Sequence, residues 1–170
     1  MNYNIFLIGP MGVGKSTIGR HLADILHQDF LDSDNEIEIR TGATIPLIFE
    51  YEGEIGFRKR EQEIIIDVTN LKNIILSTGG GVVLNPVNRR LLKNRGYVIY
   101  LHADVDDLLE RTANNDNRPL LKTGNPRTKL EALLKQRHHL YTEVADVTIN
   151  TGKKNILEVV EAVLNHIGEL

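Results

Sequence analysis

The segment NIFLIGPMGVGKSTIGRHLADIL, residues 4–26, decides the fold. It begins with a continuous apolar run that ends at Gly9, a pattern typical of a strand buried on both faces. Ile18, Leu22 and Ile25 then recur at helical spacing. Between these two patterns, GPMGVGKS (residues 9–16) matches the sequence G-x-x-x-x-G-K-[ST] of a phosphate-binding loop. The segment therefore predicts a strand, a glycine-rich loop and a helix in succession.

The chemistry of this loop points to a nucleoside triphosphate. Its glycines let successive backbone N–H groups converge on one concave surface, and the helix that begins near Lys15 adds its positive end. Lys15 is predicted to contact the β- and γ-phosphates, and the Ser16 hydroxyl is predicted to bind Mg²⁺. Thr17 is either a further phosphate contact or only a polar residue of the first helical turn. GTPases, ATP-driven motors and small-molecule kinases share such a loop, so the loop does not identify the molecule that accepts the phosphoryl group.

Length and composition set the class of protein. A chain of 170 residues suits a single domain, which we assign to residues 1–170. The net charge of −3 gives no positive field for nucleic acid or anionic membranes. The absence of cysteine excludes disulfides and thiolate chemistry, and no apolar stretch is long enough to span a bilayer. We expect a monomeric cytoplasmic protein.

Short apolar runs and helical patterns alternate along the whole chain. One helical pattern runs from Thr128 to Tyr141, and an earlier one is predicted to break at Gly53 to Gly56. This alternation predicts an α/β fold of three layers, with a five-stranded parallel sheet and helices on both of its faces. Such sheets bind ligands beyond the carboxyl ends of their strands. The polar segment NNDNRPLLKTGNP is rich in turn-forming residues, and we predict a mobile lid over about residues 112–126.

Two acids follow the second predicted strand, in DFLDSD (residues 29–34). If this segment is extended throughout, Asp32 and Asp34 point the same way and face one site. One carboxylate would then hold Mg²⁺ through water, and the other would orient or deprotonate a substrate hydroxyl. The alternative is that one of them caps the helix that follows. Spacing alone does not decide between these interpretations.

The third predicted strand ends in the triplet Gly79–Gly81, which exposes bare backbone to a small ligand. No aspartate ends this strand, so a metal ion would depend on Ser16 and an acid elsewhere, such as Asp32. Three arginines are candidates to bind carboxylate or phosphate: Arg58, Arg118 and Arg137. Arg118 lies in the predicted lid, where it would close over phosphates and exclude water.

Taken together and in order, the motifs of this chain resemble those of the shikimate kinase family. The matching segments are the loop from Gly9 to Thr17, then DSD, GFRKRE, STGGGVV, NRPLL and QRHHLYTEVAD. The resemblance covers nearly the whole chain and implies a P-loop kinase fold. It also implies transfer of the ATP γ-phosphoryl group to the 3-hydroxyl of shikimate, in the route to chorismate and the aromatic amino acids.

The resemblance also assigns roles to individual residues. On the donor side, residues 12–17 (Gly12, Val13, Gly14, Lys15, Ser16 and Thr17) would bind the ATP phosphates. Ser16 would also bind Mg²⁺, with Asp32 in its outer shell. Arg111 would lie along the adenine, and Arg118 would bridge the phosphates and the transferring group.

On the acceptor side, the resemblance places shikimate against Asp34 and Gly80, and the bare backbone of the triplet adds Gly79 and Gly81 as expected contacts. Asp34 would hold the shikimate hydroxyls and act as the base or assist it. Arg58 and Arg137 would clamp the carboxylate. The catalytic set is thus Lys15, Asp34 and Arg118.

Two alternatives remain at this point. Another small-molecule kinase, acting on gluconate or a nucleoside monophosphate, would share the loop and the lid without needing Asp34, Arg58 and the glycine triplet. A non-catalytic nucleotide-binding regulator would be expected to have lost Lys15, Asp34 or the lid arginine, and all three are present.

Overall fold

The computed structural model describes residues 3–113 and 124–168. Within these ranges, strands and helices alternate as the sequence predicts. The strands are β1 (Asn4–Ile8), β2 (Asp29–Asp32), β3 (Ile74–Ser77), β4 (Gly96–His102) and β5 (Val147–Asn150). The helices are α1 (Lys15–Leu26), α2 (Ser33–Thr41), α3 (Ile45–Val68), α4 (Pro86–Arg95), α5 (Val105–Thr112), α6 (Pro126–Val144) and α7 (Ile156–Gly168).

The five strands form one parallel sheet in the order β2-β3-β1-β4-β5, which confirms the predicted fold class. Strand β1 lies at the centre, where Ile5 pairs with Ile75 of β3 on one side and with Tyr97 of β4 on the other. Because the order reverses beside β1, the loop after this strand opens at the carboxyl edge, where parallel sheets bind ligands.

Helices cover both faces of the sheet and enclose a core on each. Ile5 and Leu7 of β1 point into the core formed with α1, α5 and α7. Phe6 and Ile8 point into the core formed with α2, α3, α4 and the end of α6. This alternation explains why β1 reads as a continuous apolar run. Among the described residues, no helix combines the length and apolar character that a membrane crossing requires.

Two helices begin elsewhere than the sequence predicts. Strand β2 ends at Asp32 and α2 starts at Ser33, so the extended segment expected to carry both acids is wrong at Asp34. Helix α6 starts at Pro126, where Asn125 caps it, rather than at Thr128. The predicted break in α3 is confirmed, because Gly53 has a non-helical backbone with φ 66° and ψ −174°.

Candidate active site

The glycine-rich loop between β1 and α1 curls around a space above the sheet. Gly12 and Gly14 have φ values of 81° and 100°, the left-handed region that glycine adopts without strain. The Lys15 side chain turns back over the loop, and its Nζ donates to the carbonyl oxygens of Gly9 at 2.7 Å and Pro10 at 2.9 Å. The loop thus brings one ammonium group and the start of α1 to the same concave surface.

A cluster of oxygen atoms lies beside this loop. Ser16 Oγ donates to Asp32 Oδ2 at 2.5 Å and lies 3.0 Å from Ser77 Oγ at the end of β3. The other carboxylate oxygen of Asp32 accepts from the backbone N–H groups of Asp34 and Asn35, at 3.0 and 3.3 Å. Asp32 therefore caps α2, as one of the two interpretations predicts, and its second carboxylate oxygen still faces Ser16. Hydroxyl and carboxylate oxygens are the ligands that Mg²⁺ prefers.

Asp34 lies in the first turn of α2, where the residue is half-buried and its Oδ1 atom is shielded from solvent. Its Oδ1 has no hydrogen-bond partner among the described residues. Burial raises the pKa of this carboxyl group to about 7, and the negative charges of Asp32 and Glu61 act in the same direction. Lys15 and Arg58 lower its pKa, but by less. A carboxyl group with such a pKa is suited to accept a proton near neutral pH.

Arg58 reaches the site from the second half of α3, beyond the break at Gly53. Its Nη1 donates to Glu61 Oε1 at 2.9 Å, and its Nη2 donates to Glu54 Oε1 at 3.2 Å. Glu61 is only 1% exposed, and burial raises its pKa although the Arg58 guanidinium opposes the change. The sequence analysis did not single out Glu61. Its spacing of three residues from Arg58 on a helix was the signal that could have found it.

Each glycine of the triplet Gly79–Gly81 lies against a different charged side chain. A β-carbon on the first would lie 2.9 Å from Asp34 Oδ1 and 3.1 Å from Glu61 Oε2. A β-carbon on Gly80 would lie 3.6 Å from Arg137 Nη1, and one on Gly81 would lie only 2.5 Å from Arg58 Cζ. The triplet is therefore the floor on which these groups converge, and larger residues would displace them.

Arg137 enters the site from α6 and is 3% exposed. Its Nε has no hydrogen-bond partner among the described residues. A buried guanidinium group with an unpartnered donor is suited to bind an anion such as a carboxylate.

These groups surround one cavity of about 420 Å³. The loop after β1, the acids and the glycine triplet form its polar side, and apolar side chains from α3 form one wall. Its lining includes Gly12, Gly14, Lys15, Ser16, Thr17, Asp32, Asp34, Arg58, Glu61, Gly79, Gly80, Gly81, Arg137 and the apolar Ile45, Phe49 and Phe57. The structure thus brings most of the predicted site residues together.

Three predicted residues stand apart from this lining. The side chain of Val13 is buried in the core with α1. Arg111 lies behind the loop, where it donates to Thr151 Oγ1 at 3.1 Å and to the Val13 carbonyl oxygen at 3.4 Å. Arg118 and most of the predicted lid lie outside the described residues.

A model of the family described as shikimate kinase matches residues 11–168 of this chain. The chain belongs to the shikimate kinase family. Its membership confirms the predicted family and activity, that of an ATP-dependent kinase, over both alternatives.

Individual members of the shikimate kinase family resemble the chain over nearly its full length. The shikimate kinase of Nitrosococcus oceani is 56% identical over 167 residues, which cover 98% of this chain and 88% of that protein. That of Methylococcus capsulatus is 55% identical, covering 95% of this chain and 90% of the relative. The structure of shikimate kinase from Acinetobacter baumannii in complex with shikimate superposes with a TM-score of 0.96 at 50% identity, covering 98% of this chain and 93% of that one.

Proposed function

We propose that the cavity binds shikimate beside ATP and that Asp34 receives the proton of the attacking 3-hydroxyl. The observation that carries this proposal is the Asp34 carboxyl group, buried at the floor of the cavity with its pKa raised to about 7. The lysine of the glycine-rich loop and the guanidinium of Arg58 line the same cavity, and the charges of both lower the pKa of Asp34. A base in this position faces both the donor and the acceptor halves of the cavity.

On the donor side, the backbone N–H groups of residues 12–17 would bind the β- and γ-phosphates. The Lys15 ammonium, which now donates to two loop carbonyl oxygens, would turn to the phosphate oxygens. There it would stabilise the charge that spreads over the γ-phosphoryl group during transfer.

On the acceptor side, Arg58 and Arg137 would pair with the shikimate carboxylate, and the backbone of Gly79–Gly81 would lie against its ring. Asp34 would accept hydrogen bonds from the hydroxyls and hold the 3-hydroxyl oxygen in line with the γ-phosphorus. When that oxygen bonds to phosphorus and the bond to the ADP oxygen breaks, the hydroxyl proton passes to Asp34 Oδ1. Positioning and electrostatic stabilisation would supply most of the acceleration.

The oxygen cluster of Ser16, Asp32 and Ser77 fits a magnesium ion. Ser16 would bind Mg²⁺ directly, and Asp32 would hold one of its water ligands. When bound, Mg²⁺ neutralises negative charge on the phosphates. Asp32→Asn retains an oxygen that can cap α2, so we expect it to raise the Mg²⁺ concentration needed for activity without unfolding the protein.

Roles for two further arginines rest on the resemblance of their segments to those of shikimate kinases. Arg118 would close over the phosphates, and we expect Arg118→Ala to lower kcat sharply. Arg111 would lie along the adenine. Its contacts with Thr151 and the Val13 carbonyl place it directly behind the phosphate loop, which is compatible with that role.

We also propose that the enzyme works as a monomer in the cytoplasm, on a small molecule and without nucleic acid or membrane. The net charge of −3 provides no positive field to attract nucleic acid or anionic membranes. Light scattering on the purified protein measures the molecular mass, and a dimer mass would contradict the monomer.

ADP release measured with and without shikimate tests the proposed activity. We expect release to depend on shikimate, and Asp34→Asn to abolish this dependence while ATP still binds. Gluconate and nucleoside monophosphates serve as competing acceptors in the same assay. ADP release that ignores shikimate, or that responds to another acceptor instead, would overturn the proposal.

A further inference from the structure

Tyr141 lies beneath the acceptor half of the cavity without lining it. The residue is fully buried in α6, and its hydroxyl donates to the carbonyl oxygen of Gly80. The two residues are 61 positions apart in the chain, so this bond ties α6 to the loop after β3. Removing this donor would cost the Gly80 carbonyl a hydrogen bond that helps to fix the loop after β3.

Arg137 lies one helical turn earlier on α6, and its positive charge acts on the same hydroxyl and lowers its pKa, although burial outweighs this effect. Burial raises the pKa of Tyr141 to about 12, so the phenol keeps its proton at neutral pH and remains a donor to Gly80. The Tyr141 hydroxyl therefore interacts with two parts of the acceptor site. It donates to the glycine triplet, and it feels the charge of the guanidinium that lies against that triplet.

The ring of Tyr141 is held in place independently of its hydroxyl. It stacks on Tyr100 of β4, with ring centroids 4.9 Å apart and planes 28° apart. The Tyr100 hydroxyl has a different partner, Nδ1 of His138, at 3.0 Å. Of these two buried and stacked tyrosines, Tyr141 bonds to the glycine triplet and Tyr100 bonds to His138.

We propose that Tyr141 is a positioning residue that joins Gly80 to Arg137 and so sets the geometry of the acceptor site. This inference rests on the proposed binding of shikimate to that half of the cavity. Tyr141 does not touch the substrate. It acts by fixing the position of the Gly80 backbone relative to the Arg137 guanidinium.

The test is Tyr141→Phe, which removes the hydroxyl and keeps the stacked ring, with Tyr100→Phe as the matched control. Steady-state kinetics give KM for shikimate, KM for ATP and kcat, and calorimetry gives the Kd of shikimate without ATP. For Tyr141→Phe we expect KM and Kd for shikimate to rise about five- to tenfold, with KM for ATP changed less than about twofold. For Tyr100→Phe we expect all values within about twofold of the unmodified enzyme.

An unchanged KM for shikimate in Tyr141→Phe would overturn the proposal. Equal rises for shikimate and ATP would also overturn it, because they would indicate a general loosening of the fold. Equal effects of the two variants would also overturn it, because they would show that the hydroxyl bonded to Gly80 matters no more for the acceptor than the hydroxyl of Tyr100. The unmodified enzyme is assayed in parallel, and its failure to use shikimate would contradict the proposed function rather than the role of Tyr141.

Discussion

Asp34 shows how neighbouring residues tune one ionisable group. Desolvation and two nearby carboxylates raise its pKa to about 7, and two cations fail to reverse the shift. The glycine floor is the reason these groups come so close, because a β-carbon at Gly79 would lie 2.9 Å from the Asp34 carboxylate oxygen. At the residue scale, the site consists of charged groups packed against bare backbone.

The pH dependence of the reaction follows from Asp34. Because its pKa in the folded protein is about 7, the carboxylate is present mainly above pH 7. We expect kcat/KM for shikimate to fall about tenfold per pH unit below this value and to level off above it. Glu61→Gln removes a negative charge that raises the pKa of Asp34, so the pH below which kcat/KM falls should be lower in this variant. If that pH does not change, the fall would be due to another group, such as a histidine.

Gly81→Ala tests the floor of the site directly. The φ of Gly81 is −94°, which alanine adopts without strain, but the new β-carbon would lie 2.5 Å from Arg58 Cζ. The guanidinium is the mobile end of a side chain, so we expect it to shift with little change in Tm and to raise KM for shikimate about tenfold. Gly168→Ala, which meets nothing within 4 Å, is the control. An unchanged KM would show that Arg58 does not bind the acceptor.

The break in α3 determines how Arg58 and Glu61 enter the site. The chain turns at Gly53, and a bidentate ion pair between Glu52 and Arg60, with N–O distances of 2.6 and 2.7 Å, bridges the two halves. An unbroken helix would direct Arg58 along another axis. At the element scale, the acceptor site thus depends on one backbone conformation outside the cavity lining.

We expect Gly53→Ala to impair shikimate binding from a distance. Its φ of 66° and ψ of −174° are nearly exclusive to glycine and cost other residues about 1–3 kcal/mol. Straightening α3 relieves this strain but moves Arg58, so KM for shikimate should rise more than KM for ATP. The control is Gly42→Ala, which also meets nothing within 4 Å and has φ 69° and ψ 15°. It should lower stability, measured by denaturant unfolding, and leave both KM values unchanged.

Across the whole molecule, the parallel sheet brings distant segments to one edge and buries their charges there. The central strand β1 is covered on both faces, and the loops after β1 and β3 and the start of α2 converge at its carboxyl end. Unpaired buried oxygens remain at that end, including Asp34 Oδ1 and Glu61 Oε2. Such groups serve binding at the expense of stability.

Asp34→Asn should therefore stabilise the ligand-free protein while it abolishes activity. The folded-state pKa of Asp34 lies above its ordinary value of 3.8, so ionised Asp34 destabilises the fold. This cost is absent below about pH 4, grows as pH rises toward 7 and is complete above it. We expect the variant to raise Tm by several degrees at pH 8 and to leave it unchanged at pH 4. If Asp34→Asn and the unmodified protein have the same Tm at pH 8, ionised Asp34 does not destabilise the fold.

Local patterns made much of the site predictable. The glycine-rich loop and the triplet at residues 79–81 are each contiguous in the sequence. Their exposed backbone can therefore be recognised without knowing which distant residues pack against it. The start of α2 was missed although DSDNE is rich in capping residues, because the carboxylates there also suit an extended segment. Glu61 was missed because its neighbours Asp34 and Gly79 come from other parts of the chain.

By itself, the sequence determined the order of strands and helices, the phosphate loop and the family. These properties follow from apolar periodicity and from glycines at fixed spacing, which act between residues close in the chain. Only the tertiary structure decided the pKa of Asp34, the approach of Glu61 to the glycine triplet and the bond from Tyr141 to Gly80. Desolvation, Coulomb interaction and hydrogen bonding depend on distance in space, and the parallel sheet sets those distances between segments far apart in sequence.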